Sequence, residues 1–216
     1  METEQIVEKL EKNPLIAVVA IPNPNLAVDL AKALLEGGVN CIEITFRNKN
    51  ASEALQNLKN ADLPVIYGAG TVRTIEDAKN AIKAGVHFIV SPGLNEKVIK
   101  YVQQNSDIPF FPGIDSTLGI EKAVNLGLKH LKCFPASVVG GPKWLGSMKG
   151  PYYDIKFMPT GGINLANLRE YLSLPNVIAC GGSFLARGNL IKQQKWDEII
   201  QKAKKAFDIV REIKKL

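Results

Sequence analysis

The segments "LLEGGVNCIEITF" (34–46), "AIKAGVHFIVSPG" (81–93) and "VNLGLKHLKCFP" (124–135) state one plan three times. A helix-like run stops at a glycine, an aliphatic residue follows, and a β-like run begins. Gly38, Gly85 and Gly127 stand just past the helix, where a left-handed backbone satisfies the last helical carbonyls. Outward from these segments the same alternation fills the chain. The strand candidates are Leu15–Val19, Cys41–Thr45, Val65–Gly68, Phe88–Ser91, Pro109–Phe111, His130–Cys133, Lys156–Met158 and Ile178–Gly181. Amphipathic stretches such as "NLAVDLAKALLEGG" and "TIEDAKNAIKAG" lie between them. Strand–helix alternation implies a parallel sheet with helical crossovers. Eight such units in 216 residues predict a small (β/α)8 TIM barrel with an N-terminal helix in "METEQIVEKLEKNP" (1–14). An open doubly wound sheet is the competing architecture. No linker or low-complexity stretch divides residues 1–216, which read as a single domain.

Hydrophobic residues make up 46% of the chain and charged residues 22%, the balance of an ordinary globular protein. The N-terminus lacks the basic, apolar, small-residue order of a signal peptide, and no apolar run is long enough to span a membrane. Cys41, Cys133 and Cys180 fall in separate apolar stretches without C-x-x-C spacing. They read as reduced core thiols of a cytoplasmic protein, with no metal site. The net charge of +6 is concentrated in "QKAKKAFDIVREIKKL" (201–216). There Ala203, Ala206, Phe207, Val210 and Ile213 recur at helical spacing, which predicts a docked helix with a solvated basic face. No aromatic stripe interleaves the lysines, so no nucleic-acid partner is expected. Small anionic substrates suit a positive protein.

Barrel chemistry sits where strands end. Here those ends are "EITFR", "GAGT", "SPG", "PGIDS", "KCFP", "PTGG" and "GGS", a ring of Gly, Pro, Thr and charge. Side-chain alternation sorts the strands. In the second, Ile42, Ile44 and Phe46 form an apolar set for the helices, which leaves Cys41, Glu43 and Thr45 inside, with Arg47 in phase just beyond. In "GLKHLKCFP" (127–135), Lys129 and Lys132 must point oppositely. Lys132 shares its face with His130 and Phe134, so Glu43, Arg47 and Lys132 converge at the mouth. An ammonium is rarely set among apolar residues unless it is paired or used.

An amine taken out of water is more easily held neutral, and a neutral amine attacks carbonyls to form a Schiff base. The protonated imine then accepts electrons as a neighbouring C–C bond breaks, with neither metal nor cofactor. The plain alternative for Lys132 is a barrel ion pair with Glu43, and the two roles are compatible. Glu43 is the candidate general acid/base, or a counter-ion. Arg47 could hold a carboxylate bidentately, or make a rim ion pair. "PTGGI" (159–163) and "GGS" (181–183) follow the last two strands, the usual barrel phosphate position, and glycine amides there can cradle an anion. His87 and His130 read as structural.

Together "GGVNCIEITFR", "GAGTV", "FIVSPG", "FFPGI", "GLKHLKCFPA", "KFMPTGGIN" and "GGSFL" closely resemble the 2-dehydro-3-deoxy-phosphogluconate and 4-hydroxy-2-oxoglutarate aldolase family, in family order and over nearly the whole chain. The resemblance implies a class I aldolase, a carbon–carbon lyase that releases pyruvate from a phosphorylated keto acid. It implies Lys132 as the imine lysine, Glu43 as the proton-transfer residue, and Arg47 and Thr71 at the substrate carboxylate. Pro92 and Phe134 would shape the pocket, and Thr160, Gly161, Gly162, Gly182 and Ser183 would form the phosphate end. Thr160 points to the gluconate-derived substrate, and a homotrimer is expected. The chain departs from the family pattern at Ala20, where some members carry arginine, and at Asp115-Ser116 after "PGI". Asp115 is read as a cap of the helix beyond it. The competing readings are a phosphate-binding barrel isomerase or synthase without covalent catalysis, and a non-catalytic trimeric barrel.

Overall fold

The computed structural model describes residues 3–215. Met1, Glu2 and Leu216, at the outer ends of the two terminal helical readings, lie outside the described residues. Helix α1 (Thr3–Lys12) is followed by strand β1 (Leu15–Val19), a short 3-10 turn (Pro24–Leu26), α2 (Ala27–Glu36), β2 (Cys41–Thr45) and α3 (Ala51–Asn60). Next come β3 (Ile66–Gly70), α4 (Ile75–Ala84), β4 (Phe88–Val90), α5 (Glu96–Asn105), β5 (Phe110–Phe111), β6 (Gly113–Ile114) and α6 (Thr117–Asn125). The chain closes with β7 (His130–Cys133), α7 (Gly141–Ser147), β8 (Lys156–Pro159), α8 (Leu168–Leu172), β9 (Cys180–Gly182), α9 (Gly188–Lys192) and α10 (Trp196–Lys214).

All strand pairs are parallel. The first sheet runs β5-β4-β3-β2-β1-β9 and the second β6-β7-β8. Neighbours are consecutive in sequence except where the last strand pairs with the first. A doubly wound sheet would reverse its order partway, and this one does not. The expected strand Pro109–Phe111 is one of two pieces, β5 and β6, separated by Pro112, which has no N–H to continue a ladder. Its carbonyl still accepts from Lys132 N at 2.9 Å. The third strand begins one residue later than expected and runs two further. The last begins at Cys180 rather than Ile178, and Val177 and Gly181 make single bridges to Phe157 and Thr160 on the β8 side.

Alternation divides the core into two layers. Leu15, Ala17, Val19, Ile42, Ile44, Ala69, Ile89, Leu131 and Cys133 pack with helix residues such as Leu30, Leu34, Leu55 and Ala78. The opposite strand faces supply Ile16, Val18, Cys41, Ile66, Phe88, Val90, Phe111 and Met158, and these pack with Ile6, Val7 and Leu10 of α1. The first helix therefore seals the inner face that the curled sheet would otherwise leave open to water. Each fully buried aliphatic side chain there contributes about 1.5–3 kcal/mol. Helix α10 buries Ala203, Ala206 and Val210 and keeps Lys204, Lys205 and Lys214 exposed, as its periodicity predicts. Gly38, Gly85 and Gly127 have φ of 85°, 68° and 75°. The three cysteines are buried and unbridged. Burial pushes the Cys133 thiol up to about 12 and raises those of Cys41 and Cys180. Among the described residues no helix is long and apolar enough to cross a membrane.

Candidate active site

Strand parity carries Glu43 and Lys132 to the inner face from two different sheets. Lys132 Nζ lies 3.2 Å from Glu43 Oε1, and the residues are 3% and 1% exposed. Lys129, three positions earlier, points away and makes an exposed ion pair with Asp154 at 3.1 Å. Gly70 makes the pairing possible, because a Cβ there would lie 2.1 Å from Glu43 Oε1. The second carboxylate oxygen, Oε2, is buried and has no hydrogen-bond partner in the described residues. A buried charged oxygen without a donor is costly, so this atom marks where a further polar group belongs. Lys132 Nζ also sits 5.4 Å from the centroid of the Phe134 ring.

Phe134 borders two cavities. One, of about 360 Å³, is lined by Arg47, Phe134, Thr160, Gly161, Gly162, Gly182 and Ser183, together with Val18, Ala20 and Ile163. The other, of about 280 Å³, is lined by Pro92, Gly93, Gly113, Asp115, Ser116, Lys122 and Phe134. Arg47 Nε donates to Thr71 Oγ1 at 3.4 Å. Thr71 has φ of 58°, an uncommon conformation for a β-branched residue that concentrates at functional sites. Its backbone neighbours fix it there: Phe46 N donates to Gly70 O and Val72 N to Val90 O. Thr160 Oγ1 is buried without a partner in the described residues, and a Cβ on Gly181 would approach it to 2.6 Å. The loop carbonyls are committed to the protein. Thr160 O accepts from Ala136 N, Gly161 O from Ser137 N, and Gly162 O from Asn167 Nδ2.

The structure thus joins Lys132 to Glu43, and Arg47 to Thr71 and to the glycine loops after β8 and β9. Pro92 falls in the second cavity, reached across Phe134. One expectation is not met. Ser116, not Asp115, caps α6 by accepting from Gly119 N, and Asp115 is exposed in the second cavity. The capping position is ambiguous in sequence because Asp and Ser serve equally well. Val18, Ile163 and the spacing role of Gly70 are absent from the sequence reading, since apolar residues and glycines carry no chemical signature. His87 and His130 lie toward α1, and burial lowers the pKa of each. His87 Nδ1 accepts from Tyr67 N at 3.2 Å, a structural bond.

A family model described as aldolase, KDPG and KHG aldolase, matches residues 6–202. The chain is 39% identical over 209 residues to 2-dehydro-3-deoxy-phosphogluconate aldolase of Haemophilus influenzae, covering 97% of this chain and 98% of that one. It is 36% identical over 199 residues to the KHG/KDPG aldolase of Escherichia coli, covering 92% and 93%. Among solved structures, it superposes on the KDPG aldolase of Legionella pneumophila, with pyruvate captured at low pH as a covalent carbinolamine intermediate. The TM-score is 0.84 at 37% identity, over 88% of this chain and 92% of that one.

The buried pair has a measurable signature. Removing one partner of a buried ion pair typically costs about 3–5 kcal/mol, whereas an exposed pair contributes about 0–1 kcal/mol. In urea denaturation, Lys132→Met should fall in the first range and Lys129→Met in the second, and adding Glu43→Gln to Lys132→Met should restore most of the loss. Equal effects of the two lysine variants would show that the pair is not closed in solution.

Proposed function

The chain belongs to the KDPG and KHG aldolase family, and on that premise we propose that it is a class I aldolase. Its substrate would be 2-dehydro-3-deoxy-6-phosphogluconate (KDPG), cleaved to pyruvate and glyceraldehyde 3-phosphate. 4-Hydroxy-2-oxoglutarate (KHG) would be cleaved by the same chemistry to pyruvate and glyoxylate. The carrying observation is the buried Lys132–Glu43 pair at 3.2 Å with Glu43 Oε2 left unpartnered among the described residues. The Lys132 amine attacks the C2 carbonyl of the keto acid to give a carbinolamine. Loss of water gives a protonated imine. Glu43, directly or through a water, takes the proton of the C4 hydroxyl as the C3–C4 bond breaks, and the bonding pair moves into the imine to form an enamine. Return of a proton to C3 gives the pyruvate imine, and water releases pyruvate and regenerates the amine.

In this reading Arg47 and Thr71 hold the pyruvyl carboxylate, and Pro92 and Phe134 pack the reacting carbons. The phosphate lies on the amide side of the loops at Gly161–Gly162, whose carbonyls are bonded away, and Gly182–Ser183, with Thr160 Oγ1 supplying a further partner. The two sheets read as one eight-stranded barrel in a single domain. Strands β5 and β6 would form one broken strand, and the bridges from Phe157 and Thr160 would close the ring. We place the protein in the cytoplasm, in keeping with three unbridged thiols, as a homotrimer, the assembly the family resemblance implies. A phosphate-binding isomerase without covalent catalysis does not require an inward lysine paired to a half-satisfied carboxylate.

Borohydride reduction in the presence of pyruvate tests the covalent step. The adduct should map to Lys132 by peptide mass spectrometry and persist in Lys129→Ala. An adduct at Lys129 sinks the assignment. Glu43→Gln should still be trapped with pyruvate but exchange the pyruvate methyl protons about 10²–10⁴-fold more slowly, the usual contribution of a general acid/base. Near-normal exchange would leave Glu43 a counter-ion alone.

The phosphate end is best tested away from Gly162. That residue has φ of 79°, and a Cβ there would lie 2.0 Å from Ser137 Oγ, so a side chain would disturb the fold itself. Ser183 is exposed and lines the cavity. Ser183→Asp should lower kcat/KM for the phosphorylated substrate far more than for KHG. Equal losses on both would move the phosphate elsewhere.

A further inference from the structure

We propose that Asp115 is a specificity-determining residue, one that disfavours substrates carrying an anion close to the bond that breaks. This rests on the reading that Lys132 forms the imine. Gly113 and Ile114 of β6 pair with Lys132 and Cys133 of β7, and Phe134 N donates to Ile114 O at 3.0 Å. Asp115 therefore stands level with Phe134, two positions past the imine lysine on the neighbouring strand end. It lines the second cavity with Phe134 and Pro92. Its side-chain partner is a hydroxyl rather than a cation, since Ser116 Oγ donates to Oδ1 at 3.1 Å. Lys122, further along α6, is the cation that borders the same cavity.

The two cavities thus differ in charge on either side of one aromatic ring. The first is lined by Arg47 and the glycine loops without a carboxylate, and the second by Asp115 at the strand end together with Lys122. The two substrates place their distal charge differently. In KDPG the phosphorus is separated from C4 by C5, C6 and an oxygen, so the anion can extend into the glycine-lined cavity. In KHG the distal carboxylate is bonded directly to C4. It must stay beside Lys132 and Phe134, within the field of Asp115. Repulsion there penalises KHG and spares KDPG, so the carboxylate selects for the longer substrate by acting against the shorter one.

The test is kcat/KM for both substrates in the unaltered enzyme, Asp115→Asn and Asp115→Ser, at low and high ionic strength. In both variants the KHG to KDPG ratio should rise roughly three- to tenfold at low salt, the scale for removing one partly screened unit charge. In the unaltered enzyme the ratio should rise with added salt, and in the variants that dependence should flatten. A ratio that falls, or that stays within about twofold in both variants, overturns the proposal. Failure of the imine reading would look different, since no borohydride-trapped pyruvate would then appear on Lys132 in the unaltered enzyme.

Discussion

Lys132 and Glu43 are both withdrawn from water, and neither could stay there charged without the other. A lone ammonium or carboxylate in an apolar interior is too costly to keep. The 3.2 Å contact offsets much of that cost for the lysine but leaves one carboxylate oxygen unmatched among the described residues. Much of the surrounding structure serves this arrangement. Strand β2 must present Glu43 inward and strand β7 must present Lys132 inward, which fixes the register of both. Gly70 must lack a side chain, because the carboxylate occupies the space a Cβ would fill.

The two ends of the inner face are treated oppositely. At one end Ile6, Val7 and Leu10 of α1 pack against Ile16, Ile66, Phe88 and Phe111, and water is excluded by an ordinary apolar core. At the other, glycine loops, an arginine and a strained threonine leave room for polar ligands. The sealed end makes the interior dry enough for a buried charged pair to interact strongly. Phe134 stands at the boundary, in contact with the lysine and bordering both cavities. On this inner side two buried polar atoms have no hydrogen-bond partner among the described residues. They are Glu43 Oε2 in β2 and Thr160 Oγ1 just past β8.

Sequence alone determined the features that depend on period and punctuation. Alternating strands and helices announced a parallel α/β fold, and glycines at helix ends marked the turns that were found at positive φ. Parity in "CIEIT" and "HLKC" placed Glu43 and Lys132 inward and Lys129 outward, because successive side chains on a strand must face opposite ways. Tertiary structure decided the features that depend on distance between segments far apart in the chain. Parity could bring Lys132 and Glu43 to one interior, but only folding sets their 3.2 Å contact across 89 positions and the bond from Arg47 to Thr71. Only folding shows that Asp115 lines a cavity while Ser116 caps the helix. Local rules rate both residues as caps, and the choice depends on which side chain the strand end turns toward the site. The break at Pro112 and the single bridges beside β8 were likewise invisible, since a ladder's continuity depends on the neighbouring strand as well as on the residues within it.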